Sequence, residues 1–190
     1  MSFGFVREFL RSPSTVGAIW PSSPALARAM VGASGVSEAE VVLELGPGSG
    51  AFTGEILNNL SVGAKFISIE KSPDLAKAVA ARFPEARVIE GCATQLTIHL
   101  KEEGFGRPDA ILSGLPWAAF PDSLQAAILD EILVTLADDG VFSTFAYFGP
   151  HWLKAGRAFR KRLEASFGDV RRTPVVLANL PPAFVYYCRR

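Results

Sequence analysis

The stretch Val41-Val42-Leu43-Glu44-Leu45-Gly46-Pro47-Gly48-Ser49-Gly50 decides the fold. Its first half is a short apolar run rich in Val and Leu, the pattern of a buried strand. Its second half places glycine at every second position. A side chain there would hold a ligand away from the backbone, and the turn can require positive φ. A helix-compatible stretch follows over 52–60. Strand, glycine-rich turn and helix open a nucleotide-binding α/β unit. The dinucleotide pattern G-x-G-x-x-G is excluded, because the third glycine comes one position early. The next apolar run, 65–69, ends in Glu70, twenty residues after Gly50. That spacing suits an acidic residue on a ribose diol.

With 190 residues the chain can form one domain with a substantial core. A content of 49% apolar and 20% charged residues is that of a globular chain, not a disordered one. No apolar run reaches membrane-spanning length, and the first residues lack the features of a signal peptide. Cys92 and Cys188 lie far apart in apolar surroundings, so free thiols in a cytoplasmic protein are expected. The histidines are His99 and His151; no Cys/His cluster has metal-ligand spacing, and no metal is expected. His99 lies away from the motifs and reads as a surface residue.

The net charge of zero is unevenly distributed. Residues 29–150 hold seven Lys/Arg and sixteen Asp/Glu, whereas the two flanks hold twelve and three. Basic flanks of this kind suit contact with an anionic surface.

Residues 3–11 have helical periodicity. Phe3, Phe5, Val6, Phe9 and Leu10 take one side, Arg7 and Arg11 the other. Such a stripe can pack on a core or lie in a membrane interface. Ser23 before Pro24 has the form of a helix cap. Ser22 or Ser23 can also face a cofactor or an anionic substrate group.

Further apolar runs over 86–90, 109–113 and 141–147 read as strands, with helices over 73–83, 122–137 and 152–167. On the last helix Trp152, Phe159, Leu163 and Phe167 share one side. Runs 170–177 and 184–188 have no helix between them and form a hairpin. The expectation is a Rossmann-like α/β fold with a seven-stranded, mostly parallel sheet ending in an antiparallel hairpin. Residues 1–34 form an N-terminal amphipathic and site-covering segment, and 35–190 the domain proper.

Glu44-x-Gly46-x-Gly48-x-Gly50 followed by Glu70 resembles the first two motifs of class I S-adenosylmethionine-dependent methyltransferases. The resemblance implies S-adenosylmethionine as cofactor, held by Glu44, Gly46, Gly48, Gly50, Glu70, Lys71, Cys92, Ala93, Ser113 and Leu115. The usual Gly-Asp-Ala after the third strand is Gly91-Cys92-Ala93 here. The adenine-binding position therefore carries over without its carboxylate hydrogen bond.

Methyl transfer to an amine needs the amine neutral, and an ammonium resembling lysine has a free pKa of about 10.4. A desolvated aromatic site lowers that value, and no strong base is required. Tyr147 can accept a hydrogen bond from the amine or can simply fill the core. Trp117 can face an alkylammonium or serve as a rigid platform. Gly114-Leu115-Pro116-Trp117 occupies the place where nucleobase amino methyltransferases carry Asn-Pro-Pro-Tyr or Asn-Leu-Pro-Tyr. The aromatic is kept and the Asn acceptor is lost.

Ile19-Trp20-Pro21-Ser22-Ser23, the glycine motif and Ser113-Gly114-Leu115-Pro116 together resemble the bacterial phospholipid N-methyltransferases. That resemblance implies methylation of phosphatidylethanolamine towards phosphatidylcholine at the inner face of the cytoplasmic membrane, with ornithine lipids as the substrate of some members. Tyr147 and Trp117 are then the expected catalytic side chains. Ser22, Ser23, Gly114 and Pro116 join them around the substrate. Phe3, Phe5, Val6, Arg7, Phe9, Leu10 and Arg11 would meet an anionic membrane surface, and a monomer is expected. An rRNA adenine dimethyltransferase-like enzyme and a non-enzymatic, cofactor-sensing membrane protein are the competing readings.

Overall fold

The computed structural model describes residues 22–190. The expected membrane-binding residues Phe3, Phe5, Val6, Arg7, Phe9, Leu10 and Arg11 lie outside them, as do Ile19, Trp20 and Pro21. Helix α1 (Pro24–Ser34) begins where Ser23 Oγ accepts the Leu26 amide and Pro24 supplies the first helical residue. It ends at Gly35, in the left-handed region at φ 68°. Strand β1 (Val41–Leu45), α2 (Ala51–Asn59), β2 (Lys65–Glu70), α3 (Pro73–Arg82) and β3 (Arg87–Glu90) follow. Next come α4 (Leu96–Glu102), β4 (Ala110–Ser113), α5 (Asp122–Thr135) and β5 (Val141–Tyr147), then α6 (Lys154–Ser166), β6 (Asp169–Arg172) and β7 (Ala183–Arg189).

The seven strands form one sheet in the order β3-β2-β1-β4-β5-β7-β6. β1 to β5 are parallel, and β7 runs antiparallel between β5 and β6. The expected fold is the observed one. Strand periodicity divides the apolar residues between two covered faces. Val42, Phe66, Ala110 and Leu112 pack beneath α1 and α2 with Leu26, Met30, Phe52 and Ile56. Leu43, Leu45, Ile67, Ile69 and Ile111 face the opposite way, against Leu96, Leu129, Ile132, Phe159 and Leu163. Pro24–Ser34, grouped on sequence with the preceding segment, therefore lies within the α/β core.

Three local expectations are corrected. Trp152 does not share the buried side of α6. It closes a 3₁₀ turn over Pro150–Trp152 and is 62% exposed. The last pair of strands is shorter than its apolar pattern. β6 stops at Arg172, and beyond it only Val176 bridges to Ala183. Pro174, which lacks an amide proton, interrupts the ladder. His99, read as a surface residue, is half-buried: it lies on α4 with its Nε2 turned inward against Gly91.

Parallel strands put their carboxyl ends on one edge. The order reverses between β1 and β4, the switch point where such sheets bind ligands. The glycine turn, Glu70, Cys92, the loop after β4 and the loop after β5 all leave the sheet at that edge.

Candidate active site

The turn after β1 has Gly46, Gly48 and Gly50 all at positive φ, 68°, 56° and 79°. A Cβ on Gly46 would lie 2.7 Å from the Leu115 side chain, and one on Gly50 2.5 Å from the Phe83 ring. A Cβ on Gly48 would meet nothing within 4 Å. Two glycines thus let the turn close on its neighbours, and the middle one leaves space beside the backbone.

Glu70, 8% exposed, ends β2 beneath this turn. Its Oε2 accepts the Gly48 amide at 3.2 Å and its Oε1 the Ser72 amide at 2.9 Å. Each oxygen keeps a lone pair for a second donor. Glu44 is fully buried. Its Oε2 accepts from Thr53 Oγ1 at 2.8 Å and from Ser68 Oγ at 3.0 Å. Its Oε1 has no partner among the described residues. Burial pushes the carboxyl up to about 7 against the pull of both hydroxyls, and neighbouring Glu70 adds to the rise.

Cys92 follows β3, with Sγ 3.1 Å from Thr94 Oγ1. Burial opposes its ionisation, but the Thr94 hydroxyl and amide and the Lys71 ammonium together hold the thiol below its ordinary value. Ala93 starts the short turn after it. Lys71 is exposed at the end of β2.

The loop after β4 is held by polar contacts that sequence patterns do not reveal. Ser113 Oγ accepts from Trp117 Nε1 at 3.0 Å, and Gln125 Nε2 donates to the carbonyls of Trp117 and Phe120 at 2.9 and 3.0 Å. Gly114 lies so close to the glycine turn that a Cβ would sit 2.5 Å from the Gly46 carbonyl oxygen. An Asn at this position has no room, which gives the loss of that acceptor a steric cause.

A small cavity, open to solvent on one side, lies beyond this loop. Leu115, Pro116 and Trp117 form one wall; Phe145, Tyr147, His151, Phe159 and Tyr186 form the others. Leu115 packs on Gly46 on one side and lines the cavity on the other, so the cavity adjoins the glycine turn. Trp117 is 2% exposed and stacks on Phe159 with ring centroids 5.1 Å apart. It is a wall of the cavity, with one face already occupied.

Tyr147 also lines the cavity, its ring edge-to-face with Phe145, and burial raises its phenol above the ordinary value. His151 was not anticipated from the sequence. Its Nδ1 accepts the Gly149 amide at 3.1 Å, and its Nε2 is buried with no partner among the described residues. Burial lowers its pKa, a hydrogen bond to the Tyr147 backbone opposes that, and Arg172 and Arg160 lower it further. Its position directly after Phe148-Gly149-Pro150 was the one available signal.

Ser23 is engaged at the start of α1. The Ser23 hydroxyl caps α1, and the Ser23 amide donates to Asn179 Oδ1 at 2.9 Å, fastening the chain to the β6–β7 connection. Among the described residues no group of His, Cys, Asp and Glu could hold a metal ion.

These residues fit S-adenosylmethionine. The open side of Gly48 and the spare lone pairs of Glu70 suit a ribose, and Glu44 keeps an unsatisfied oxygen beneath the turn. The structure resembles that of an O-methyltransferase from Bacillus cereus in complex with S-adenosylhomocysteine, with a TM-score of 0.72 and 15% identity, covering 100% of this chain and 92% of that one. The fold and the glycine turn define a class I S-adenosylmethionine-dependent methyltransferase.

No protein-family model matches the chain. An ornithine lipid N-methyltransferase of Singulisphaera acidiphila is 30% identical over 98% of this chain and 95% of its own length. The chain belongs to this family of bacterial lipid N-methyltransferases. A ribosomal RNA small subunit methyltransferase A of Chlorobaculum parvum is 42% identical, but over 56% of this chain and 35% of its own length.

Proposed function

We propose that this methyltransferase N-methylates the head-group amine of an aminolipid at a membrane surface, with ornithine lipid as its first substrate. The observation that carries the reading is the cavity beside the glycine turn: aromatic and aliphatic walls, with Tyr147 and His151 among its few polar side chains. The similarity to the ornithine lipid enzyme over nearly the whole chain supports it.

The cofactor, S-adenosylmethionine, supplies when bound a methyl group already activated on a sulfonium. The residues therefore have only to position and desolvate the amine. The apolar walls disfavour the ammonium form and so release the nitrogen lone pair. The Tyr147 phenol oxygen can accept from the amine N–H, and His151, whose Nδ1 accepts the Gly149 amide so that its Nε2 carries the proton, can donate to a head-group oxygen; neither adds charge to the cavity. Phosphatidylethanolamine also presents a primary amine and is the second reading, on the resemblance of the sequence motifs to phospholipid N-methyltransferases.

The enzyme would act as a peripheral monomer on the cytoplasmic face of the membrane, with Phe3, Phe5, Val6, Arg7, Phe9, Leu10 and Arg11 contributing to attachment. No helix among the described residues is long and apolar enough to cross a membrane. Labelled S-adenosylmethionine, incubated with the protein and vesicles holding both aminolipids, tests the reading. Label in ornithine lipid supports it, and label in phosphatidylethanolamine favours the second reading. No labelled lipid from a protein that binds the cofactor would sink both.

A further inference from the structure

Two loops leave the sheet edge that carries the active site. One follows β5 and the other joins β6 to β7. They lie side by side, because Tyr147 pairs with Ala183 and the Phe148 amide donates to the Pro182 carbonyl at 2.8 Å. Each presents large apolar side chains to solvent. Phe148, Trp152 and Leu153 are 40%, 62% and 48% exposed on the first; Leu177 and Leu180 are 77% and 48% exposed on the second.

Phe148 and Trp152 stand at the rim of the cavity, and the other three lie on the same two loops. The rings of Phe148 and Trp152 touch each other at 5.1 Å, and both touch His151, which lines the cavity, at 5.2 and 4.8 Å. The remaining exposed large apolar residues, such as Val62, Ile98 and Val134, are scattered elsewhere in the sequence. An exposed apolar rim at the mouth of a site marks an interaction surface.

The charge beside it indicates what is met. α6 starts straight from Leu153 with Lys154 and, one turn on, Arg157. No acidic residue stands in its first turn, and no side chain caps it. Cations at the positive end of a helix are unfavourable for the isolated fold. Lys154, Arg157 and Lys161 have no ion-pair partner among the described residues, whereas Arg160 and Arg162 pair with Glu164 and Asp122. Free cations directly behind exposed Trp and Leu side chains match an anionic bilayer, with the apolar tips in the acyl boundary and the cations at the head groups.

The chain's own first residues are a poorer occupant. Arg7, Glu8 and Arg11 make residues 3–11 net basic, so they would bring like charge to this rim. The Ser23 amide is held by Asn179, which stands between Leu177 and Leu180 in the chain, so the start of α1 lies beside this loop. An N-terminal segment lying in a membrane would therefore continue this surface.

The geometry points to a second membrane-docking surface, built from Phe148, Trp152, Leu153, Leu177 and Leu180 with Lys154 and Arg157, that seats the cavity mouth on an anionic phospholipid bilayer. This rests on the lipid reading of the active site and deepens it: the aminolipid enters laterally, between the two loops, without leaving the bilayer.

The test uses the full chain and two surface variants, Trp152→Ser with Leu153→Ser and Lys154→Glu with Arg157→Glu. Each is assayed for sedimentation with phosphatidylcholine vesicles lacking or containing phosphatidylglycerol, for cofactor affinity, and for methylation of aminolipid in vesicles and in detergent micelles. The apolar variant should bind both kinds of vesicle about tenfold more weakly or worse. Charge reversal should weaken binding to the anionic vesicles by roughly thirtyfold. Both variants should keep wild-type cofactor affinity and turnover in micelles. Wild-type vesicle binding and turnover in both variants would overturn the surface while leaving the lipid reading intact. The converse pattern, variants that fall off vesicles while the wild type binds them but methylates no lipid in either medium, would overturn the reaction and keep the surface.

Discussion

Thr53, inside the first helix after the glycine turn, donates its hydroxyl to Glu44 on the preceding strand at 2.8 Å. With Ser68 on the other side, this bond holds a fully buried carboxylate whose second oxygen is unpartnered among the described residues. Its pKa lies at about 7, above its ordinary 4.5, so the folded state binds the proton more tightly than the unfolded chain does. Stability from this group is full below about 4.5 and is lost as pH rises towards about 7, by roughly 3 kcal/mol. Glu44→Gln should flatten that slope in denaturation curves collected between pH 5 and pH 8. If the cofactor uses the ionised carboxylate, as the sequence resemblance implies, its binding should tighten over the same range in the wild type and lose its pH dependence in the variant. Identical slopes for both proteins would contradict the assignment.

Cys92 and Cys188 should differ sharply in reactivity. Cys92 is half-buried, with its thiol held below its ordinary pKa, whereas burial pushes Cys188 up to about 12. Since the thiolate is the nucleophile, iodoacetamide should modify the native protein at Cys92 alone, read by peptide mass. If Cys92 lies at the adenine-binding position that the sequence resemblance implies, excess S-adenosylmethionine should slow the modification severalfold. Equal rates with and without cofactor would remove Cys92 from the site.

Gly114→Asn recreates the residue type found in nucleobase amino methyltransferases, and here it should fail. The new Cβ would fall 2.5 Å from the Gly46 carbonyl oxygen, a backbone atom with little freedom to move. The variant should lose about 2 kcal/mol or more of stability, bind cofactor weakly and acquire no activity on RNA. Gly114→Ala, lacking the amide, should show most of the same loss.

The local signals were legible in the sequence where one residue type answers one backbone need. The glycine turn, Glu70 at the end of β2, and the cap Ser23 all stand where their spacing predicts. What was hidden depends on side-chain contacts between one element and another. Gln125 fixes the loop after β4 from the following helix, and Asn179 receives the Ser23 amide from the opposite end of the chain. Periodicity counts a residue by its phase within one element, and so it assigned Trp152 to the buried side of α6. Gly149, at φ 98°, and Pro150 instead open a separate turn before that helix and leave Trp152 outside it. His151 escaped notice because one histidine has no spacing to read. It became a site residue only when β5, α6 and the loop after β4 closed around it.

Tyr147 and His151 should affect the reaction without affecting the cofactor. Both line the cavity beyond Leu115, away from the glycine turn. Burial raises the phenol above its ordinary value and lowers the imidazole below its own, so neither changes charge between pH 7 and pH 9. The rate of methyl transfer at low lipid concentration should therefore rise with pH over this range, following deprotonation of the substrate amine. No inflection from the enzyme is expected there. Tyr147→Phe and His151→Asn each remove one hydrogen-bonding group, and loss of a bond made to the reacting head group lowers kcat/KM by about tenfold to a hundredfold. Cofactor affinity, measured by calorimetry, should stay within about twofold of wild type in both. If both variants turned over lipid at the wild-type rate, the two side chains would be packing alone, and the aminolipid nitrogen would have to be placed elsewhere in the cavity.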